Sequence, residues 1–421
     1  MFMQNLTLTR IHLCLVILLL LPAVSGARQN PTPPPPAPSG PEAAEMRAQI
    51  QRVEDALPRI TDRGAALFLE AKLYARMGEP AKSLALVKEC VALNRGFDPG
   101  DSPSLQSLQS YAEFRELVEQ VRHRNPAVHQ GRVAYTVQEK DLFPEGLAYD
   151  PFKRVFYMGS MHRRKIITIT QSGKVSDFVK PELYNLLEVG GVRIDPADHS
   201  VWIASDHEGA SEVVHFDSQG KLLERFPASD PGRHIFNDLV VRENEVYVTD
   251  TSANQVYRFD RKLRTFTPMV FHRPLFGPNG ITFSDDQNVL YVADDMGVIR
   301  VDLRNNASQD VDTSQGSTLA GLDGMYWYKS SLVGVQYGTG SYRVARWLLS
   351  PDGLRVTSTE ILEYRMPLTS FPTTGAVAGG KFYYIANTGI GNLDHDRVID
   401  PAKLEPIHIA VVPLEARVPQ R

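Results

Sequence analysis

Cysteine is nearly absent from this chain, with Cys14 and Cys90 alone in 421 residues. Cys14 sits inside an apolar leader, so its removal leaves Cys90 single and excludes an intramolecular disulfide. No histidine or cysteine cluster with zinc-site spacing occurs. Charge of one sign is lacking too: 45 Lys and Arg against 49 Asp and Glu give a net charge of −4, without a long basic run. That balance argues against a nucleic-acid partner. No apolar stretch comfortably reaches the roughly 20 residues that span a bilayer. A Gly-x-Ser-x-Gly elbow is also missing, which leaves a serine-nucleophile route unsupported. Stability must then come from packing or from a bound metal.

What is present falls into four segments. Arg10 and His12 precede an apolar run from Leu13 to Leu21, and small residues follow at Ala23, Ser25, Gly26 and Ala27. This is the pattern of a signal peptide over 1–27, and it predicts an exported protein, periplasmic or secreted, with no integral span after cleavage. Residues 28–41 contain PTPPPPAPSGP, a polyproline II spacer. Residues 42–126 carry helical periodicity, with Leu67, Leu69, Leu73 and Tyr74 followed by Leu84, Leu86, Val87, Val91 and Leu93. Gly78 and Pro80 stand where one helix should end and the next begin. SLQSLQSYAEFRELVEQVRHR predicts a further helical segment. The placement of Ala, Tyr, Gly and Pro resembles a tetratricopeptide pair. One pair is below the three or so repeats of a solenoid, which favours a cap on the next domain over a groove for a protein partner.

From Gly131 to about residue 416 the chain is β-rich and repeats itself. EGLAYDPFKRVFYMGS, GGVRIDPADHSVWIASD, NDLVVRENEVYVTD, NGITFSDDQNVLYVADD, DGMYWYKSSLVGVQYG and TGAVAGGKFYYIANT start 45, 47, 42, 44 and 51 residues apart. Each copy is an alternating strand, a polar turn and a second strand, with room for two more strands before the next copy. Four strands in each of six units describe a mainly β fold, a six-bladed β-propeller with a small N-terminal helical domain. The last unit runs out after HIAVVPL, and GRVAYTV (131–137) is the spare strand that completes it. N- and C-terminal strands therefore close the ring together.

The residues that open the inner strands are Glu145, Gly190, Asn237, Asn279, Asp323 and Thr374. Radial symmetry aims them at one axis, and four of them bring a carboxylate or an amide oxygen. Turn chemistry accounts for Asn, Asp and Gly at such a position but not for Glu145. An oxygen-only set formed by Glu145, Asn237, Asn279 and Asp323 suits a divalent cation, Ca²⁺ first, with Mg²⁺, Mn²⁺ or Zn²⁺ as alternatives. Four protein oxygens fall short of the usual 6–8 around calcium, so water or substrate would complete the shell. A purely stabilising ion, or strand-opening residues with no ion, are the competing readings.

The stretches PEGLAYD, FNDLVV, PNGITFSDD and LDGMYW resemble the gluconolactonase, regucalcin and senescence-marker family of lactonase-like propellers, with paraoxonases more distant. The resemblance covers about 290 residues. It implies one divalent cation in the central channel, with Glu145, Asn279 and Asp323 as ligands. It places Asn237 at the metal or the substrate and makes Asp323 the candidate base. Two positions depart from the pattern. Ile235 replaces an arginine of the gluconolactonase branch, which argues against a sugar-acid lactone, and Gly190 replaces a paraoxonase histidine. His207 is a second candidate proton acceptor, expected in a loop able to reach the channel, and His234 is a weaker one.

These readings predict an exported, metal-dependent hydrolase of lactones or esters, acting on a small-molecule substrate. The rival is a non-catalytic propeller that binds a ligand or protein on the same face; a strictosidine synthase-like condensing activity shares the architecture.

Overall fold

The computed structural model describes residues 40–313, 316–365, 370–394 and 396–415; the leader and nearly all of the proline-rich spacer lie outside them. Six four-stranded antiparallel blades surround a channel. Their inner strands are Leu147–Asp150, Glu188–Ile194, Phe236–Arg242, Ile281–Phe283, Leu322–Trp327 and Gly375–Ala378, blades 1 to 6 in that order. Each inner strand packs on the next, and the sixth returns to the first. Burial explains why: the second strands are apolar on both faces along most of their length, as in Val289–Asp294, which is buried throughout. The cores lie between neighbouring blades. Tyr135, Phe156 and Ile409, for example, belong to one cluster that joins blades 1 and 6.

Ring closure follows the sequence reading. Arg132–Val137 pairs antiparallel with Ile407–Pro413 as the outermost strand of blade 6. A two-residue strand, Val128–His129, adds to the outer edge of blade 5 beside Tyr364 and Glu363, which periodicity did not signal. Within the stretch around Asn279 the hairpin falls between Phe283 and Val289, as SDDQN suggested.

Ahead of the propeller run α1 (Pro41–Ala56), α2 (Arg63–Arg76), α3 (Pro80–Ala92) and α4 (Ala112–Arg124). Asp62 caps α2 by accepting from the Gly64 and Ala65 amides. Gly78, at φ 74°, turns the chain into α3, where Pro80 holds the first position. The segment expected to be helical from Ser104 to Arg124 divides at Tyr111, which is extended. SLQSLQS instead forms a 3₁₀ helix, Pro103–Ser110, with Leu105 and Leu108 fully buried. A spacing of three matches the three residues per turn of that helix, which puts both leucines on one line.

The helices cap the propeller. Their core cluster includes Phe276, Met296 and Ala320 from the loops of blades 4 and 5. Arg52 donates to the Leu275 carbonyl at 2.8 Å, and the Asp98 amide donates to that of Thr339 at 2.7 Å. The buried Asp98 carboxylate also accepts the hydroxyls of Ser341 (3.1 Å) and Tyr364 (2.7 Å). Among the described residues α2 packs chiefly against α3, and no repeated helix pair stacks on them as a tetratricopeptide array would require.

Candidate functional site

The six strand-opening residues meet because glycine follows five of them. A Cβ at position 280 would stand 2.2 Å from the Asp323 carbonyl oxygen, and one at 146 would stand 2.2 Å from that of Gly190. Only a residue with no side chain lets the inner strands approach so closely. Between blades 3 and 4 the link is a side chain: the Thr249 hydroxyl lies 2.8 Å from the Asn279 carbonyl and 3.1 Å from that of Asp238. Between blades 6 and 1, Thr374 and Thr373 donate their hydroxyls to the Glu145 carbonyl, the latter at 3.3 Å. Glu145, Gly190, Asn237, Asn279, Asp323 and Thr374 thus form a continuous ring at one end of the channel.

The side chains on that ring are short of partners. Asn279 is 8% and Asp323 7% exposed, and neither Asn279 Oδ1 nor Asp323 Oδ1 has a hydrogen-bond partner. Glu145 and Asn237 are half-buried. Burial pushes the Asp323 carboxyl up to about 7, with Asn279 hydrogen bonding opposing the rise and Asp238 adding to it. Glu145 is driven well above the ordinary carboxylate range by burial first, then by Asp323, Asp238 and Asp206. Charges this close in a desolvated mouth are costly unless a cation joins them. The nearby guanidinium of Arg193 is already committed, at 2.5 Å from Asp238 and stacked on the Tyr326 ring at 4.8 Å. Two orphaned oxygens, a further carboxylate and an all-oxygen donor set fit a hard divalent cation.

Asp238 was not singled out from the sequence, although a signal existed. It occupies the second place of the aligned dipeptide, where the other five blades have glycine. Its carboxylate, 2% exposed, accepts from Arg193 and holds that guanidinium in place.

The two candidate histidines engage partners outside the ring set. His207 ends the strand Val201–His207 rather than sitting in a loop, because that strand runs two residues further than VWIAS before it turns. Its Nδ1 is 3.0 Å from Glu188 Oε1, and its ring also meets Arg164 and Asp396 at the rim between blades 1 and 2. His234 is a satisfied core residue, with Nδ1 2.6 Å from Asp250 Oδ2 and Nε2 3.2 Å from the Asp230 carbonyl. Burial works against its protonated form, but the Asp250 contact prevails and raises its pKa.

Buried titratable groups also lie between the ring and the cap's contacts on blades 4 and 5. Tyr337 hydroxyl donates to Asp295 Oδ1 at 3.3 Å, and burial raises that phenol together with Asp295 and Asp323. Lys72 of α2 faces the same Asp295: burial lowers its ammonium pKa while Asp295 opposes the fall.

No protein-family model and no curated protein matches the chain. Its structure is similar to that of a gluconolactonase from Xanthomonas campestris, at 16% identity and a TM-score of 0.49 over 70% of this chain and 92% of that one. It is also similar to the calcium-binding protein regucalcin from Agrobacterium tumefaciens, at 16% identity and a TM-score of 0.44 over 66% and 93%. A third similar structure is a PQQ-bound aldose sugar dehydrogenase from Streptomyces coelicolor, at 14% identity and a TM-score of 0.46 over 68% and 99%. At these identities the likeness concerns blade architecture, which the strand pairing establishes independently. The chemistry has to rest on this chain's own residues.

Proposed function

We propose that the chain is a divalent-cation-dependent hydrolase of lactones or esters, working at the ring end of the channel. Glu145, Asn279 and Asp323 hold the cation, with Ca²⁺ the best match to their oxygen chemistry. The observation that carries the reading is the pair of buried, unpartnered oxygens Asn279 Oδ1 and Asp323 Oδ1 beside an uncompensated Glu145. When bound, such a cation supplies polarisation of a carbonyl and acidification of a water.

The remaining roles belong to side chains. Asp323 has two oxygens, so one can serve the cation while the other accepts the proton of the attacking water. The same carboxyl can return that proton to the departing alkoxide oxygen as the acyl–oxygen bond breaks. Asn237 is half-buried on the ring and offers both a donor and an acceptor for orienting the substrate. Tyr337, a buried phenol that feels the Asp323 charge, limits water around the reacting atoms. His207 engages Glu188 at the rim, so we assign the proton transfer to Asp323. Export belongs to the same proposal and rests on the leader; an extracytoplasmic chain beginning near residue 28 checks it.

The test is direct. The purified chain is stripped with chelator and assayed on a panel of lactones and aryl esters with Ca²⁺, Mn²⁺ or Zn²⁺. Cation-dependent turnover is expected, and no hydrolysis under any condition refutes the enzyme reading. Asp323→Asn should bind cation more weakly and lose turnover; wild-type binding and rate together would remove Asp323 from the mechanism.

A further inference from the structure

The ring end of the propeller carries a second set of donor atoms, at the rim between blades 1 and 2. Glu188 opens the inner strand of blade 2, and His207 ends the strand beside it. Asp396 arrives from blade 6, on the long excursion between Lys381–Ile385 and Ile407–Pro413. One ligand atom from each of the three lies within 4.8 Å of the others. His207 Nδ1 is 3.0 Å from Glu188 Oε1, and its Nε2 is 3.8 Å from Asp396 Oδ2.

A cation already marks the place. Arg164 Nη2 stands 2.7 Å from Asp396 Oδ1 and 3.2 and 3.1 Å from the two imidazole nitrogens. Its single positive charge faces two carboxylates, so the cluster stays one charge short of balance with a neutral imidazole. Beside it opens a cavity of about 410 Å³, lined by His162, Arg164, Glu182, Asn185 and Asp396 among others. None of these groups belongs to the Glu145, Asn279 and Asp323 set.

We infer that Glu188, His207 and Asp396 form a second metal site, for a zinc-type transition-metal dication, with its open coordination position toward the rim cavity. The donor chemistry separates it from the ring. An imidazole with two carboxylates suits zinc, manganese or iron, whereas oxygen alone suits calcium. A dication completes the charge balance that the guanidinium leaves unfinished. Ligands about 2.0–2.1 Å from a tetrahedral ion stand roughly 3.4 Å apart, so Glu188 and His207 are already close to the required separation. Asp396, with 59% of its side chain exposed, is free to close the remaining gap as Arg164 swings toward solvent. Three protein ligands leave a place for water or a small anionic ligand from the cavity, as in zinc sites that bind substrate rather than staple a fold.

Zinc titration calorimetry on the purified chain, with millimolar Ca²⁺ present to occupy the ring, tests this. One zinc equivalent is expected. Asp396→Asn, a change at an exposed position, and His207→Gln should each weaken it by more than the roughly 100-fold that losing an outer-shell partner costs. Arg164→Met should tighten it, and Glu145→Gln should leave it unchanged. Cobalt(II) in place of zinc should give visible absorption that His207→Gln abolishes. No zinc uptake in the presence of Ca²⁺, or uptake that survives both rim variants, overturns the inference.

Discussion

Gly280→Ala is the sharpest probe of how the ring is built. The new methyl would meet the Asp323 carbonyl oxygen at 2.2 Å, and the backbone nitrogen and Cβ of Met325 at 2.9 Å. The Asp323 carbonyl must recede by at least 0.8 Å to reach the 3.0 Å below which real contacts of this kind essentially never fall. Overpacking of this sort costs about 1–3 kcal/mol. In a domain of this order that lowers the melting midpoint by roughly 2–4 °C per kcal/mol. The cation should feel the change more than the fold does, because metal–ligand distances tolerate only about 0.2 Å. Asn279 and Asp323 sit on the two inner strands being forced apart. Each tenfold loss of Ca²⁺ affinity removes about 1.4 kcal/mol of ligand-induced stabilisation at saturating Ca²⁺. Calorimetric melts in EDTA and in Ca²⁺ separate the two effects. Gly232→Ala is the control, since its Cβ would meet nothing nearer than His234 Nε2 at 3.4 Å. A Gly280→Ala protein that melts with wild type and keeps its full Ca²⁺ shift would refute both the packing argument and the ring's role.

Other expectations follow from the same geometry. In chelated protein, folded Asp323 holds its proton up to about 7 whereas its ordinary value is 3.8, so stability should fall as pH rises through that window. Ca²⁺ or Asp323→Asn should flatten the slope, and a flat profile in the chelated wild type would contradict it. Arg193→Met strands the buried Asp238 carboxylate and should cost about 3–5 kcal/mol in denaturant unfolding; a loss under 1 kcal/mol would show the pair to be dispensable. Asp98→Ala removes the acceptor for Ser341 and Tyr364, at a cost of roughly 3 kcal/mol. Limited proteolysis should then cut within the helical cap before the propeller, and an unchanged digestion pattern would mean that the cap is held by its apolar contacts alone.

The sequence makes the propeller legible because the blade is a repeat whose strands bury both faces. Six aligned starts and one spare strand determine the ring without knowledge of any contact. The same alignment exposes Glu145, Asn279 and Asp323, since residues at equivalent places in a radial array must converge. It passes over Asp238 because the eye goes to the first residue of each dipeptide, while the departure from glycine sits at the second. The rim cluster is illegible for a different reason. Glu188 and His207 come from adjacent strands of one blade, but Asp396 reaches them from an irregular excursion that periodicity cannot place. Leucines three apart read equally well as one stripe of an α-helix, which hides the break at Tyr111.

Closure of the last blade also sets a timetable. Val137 leaves the ribosome about 270 residues before Ile407, its partner across the blade. At about 5–20 residues per second, the early strand waits roughly 15–55 seconds for the late one. The cap waits as well, because Phe276, Met296 and Ala320 are made long after the helices they cover. The strand cannot settle until the chain is nearly complete, nor the cap until blade 4 and the start of blade 5 exist, and pairing at such separation is intrinsically slow. Through that interval the ring stays open, with its first and last strands lacking their partners.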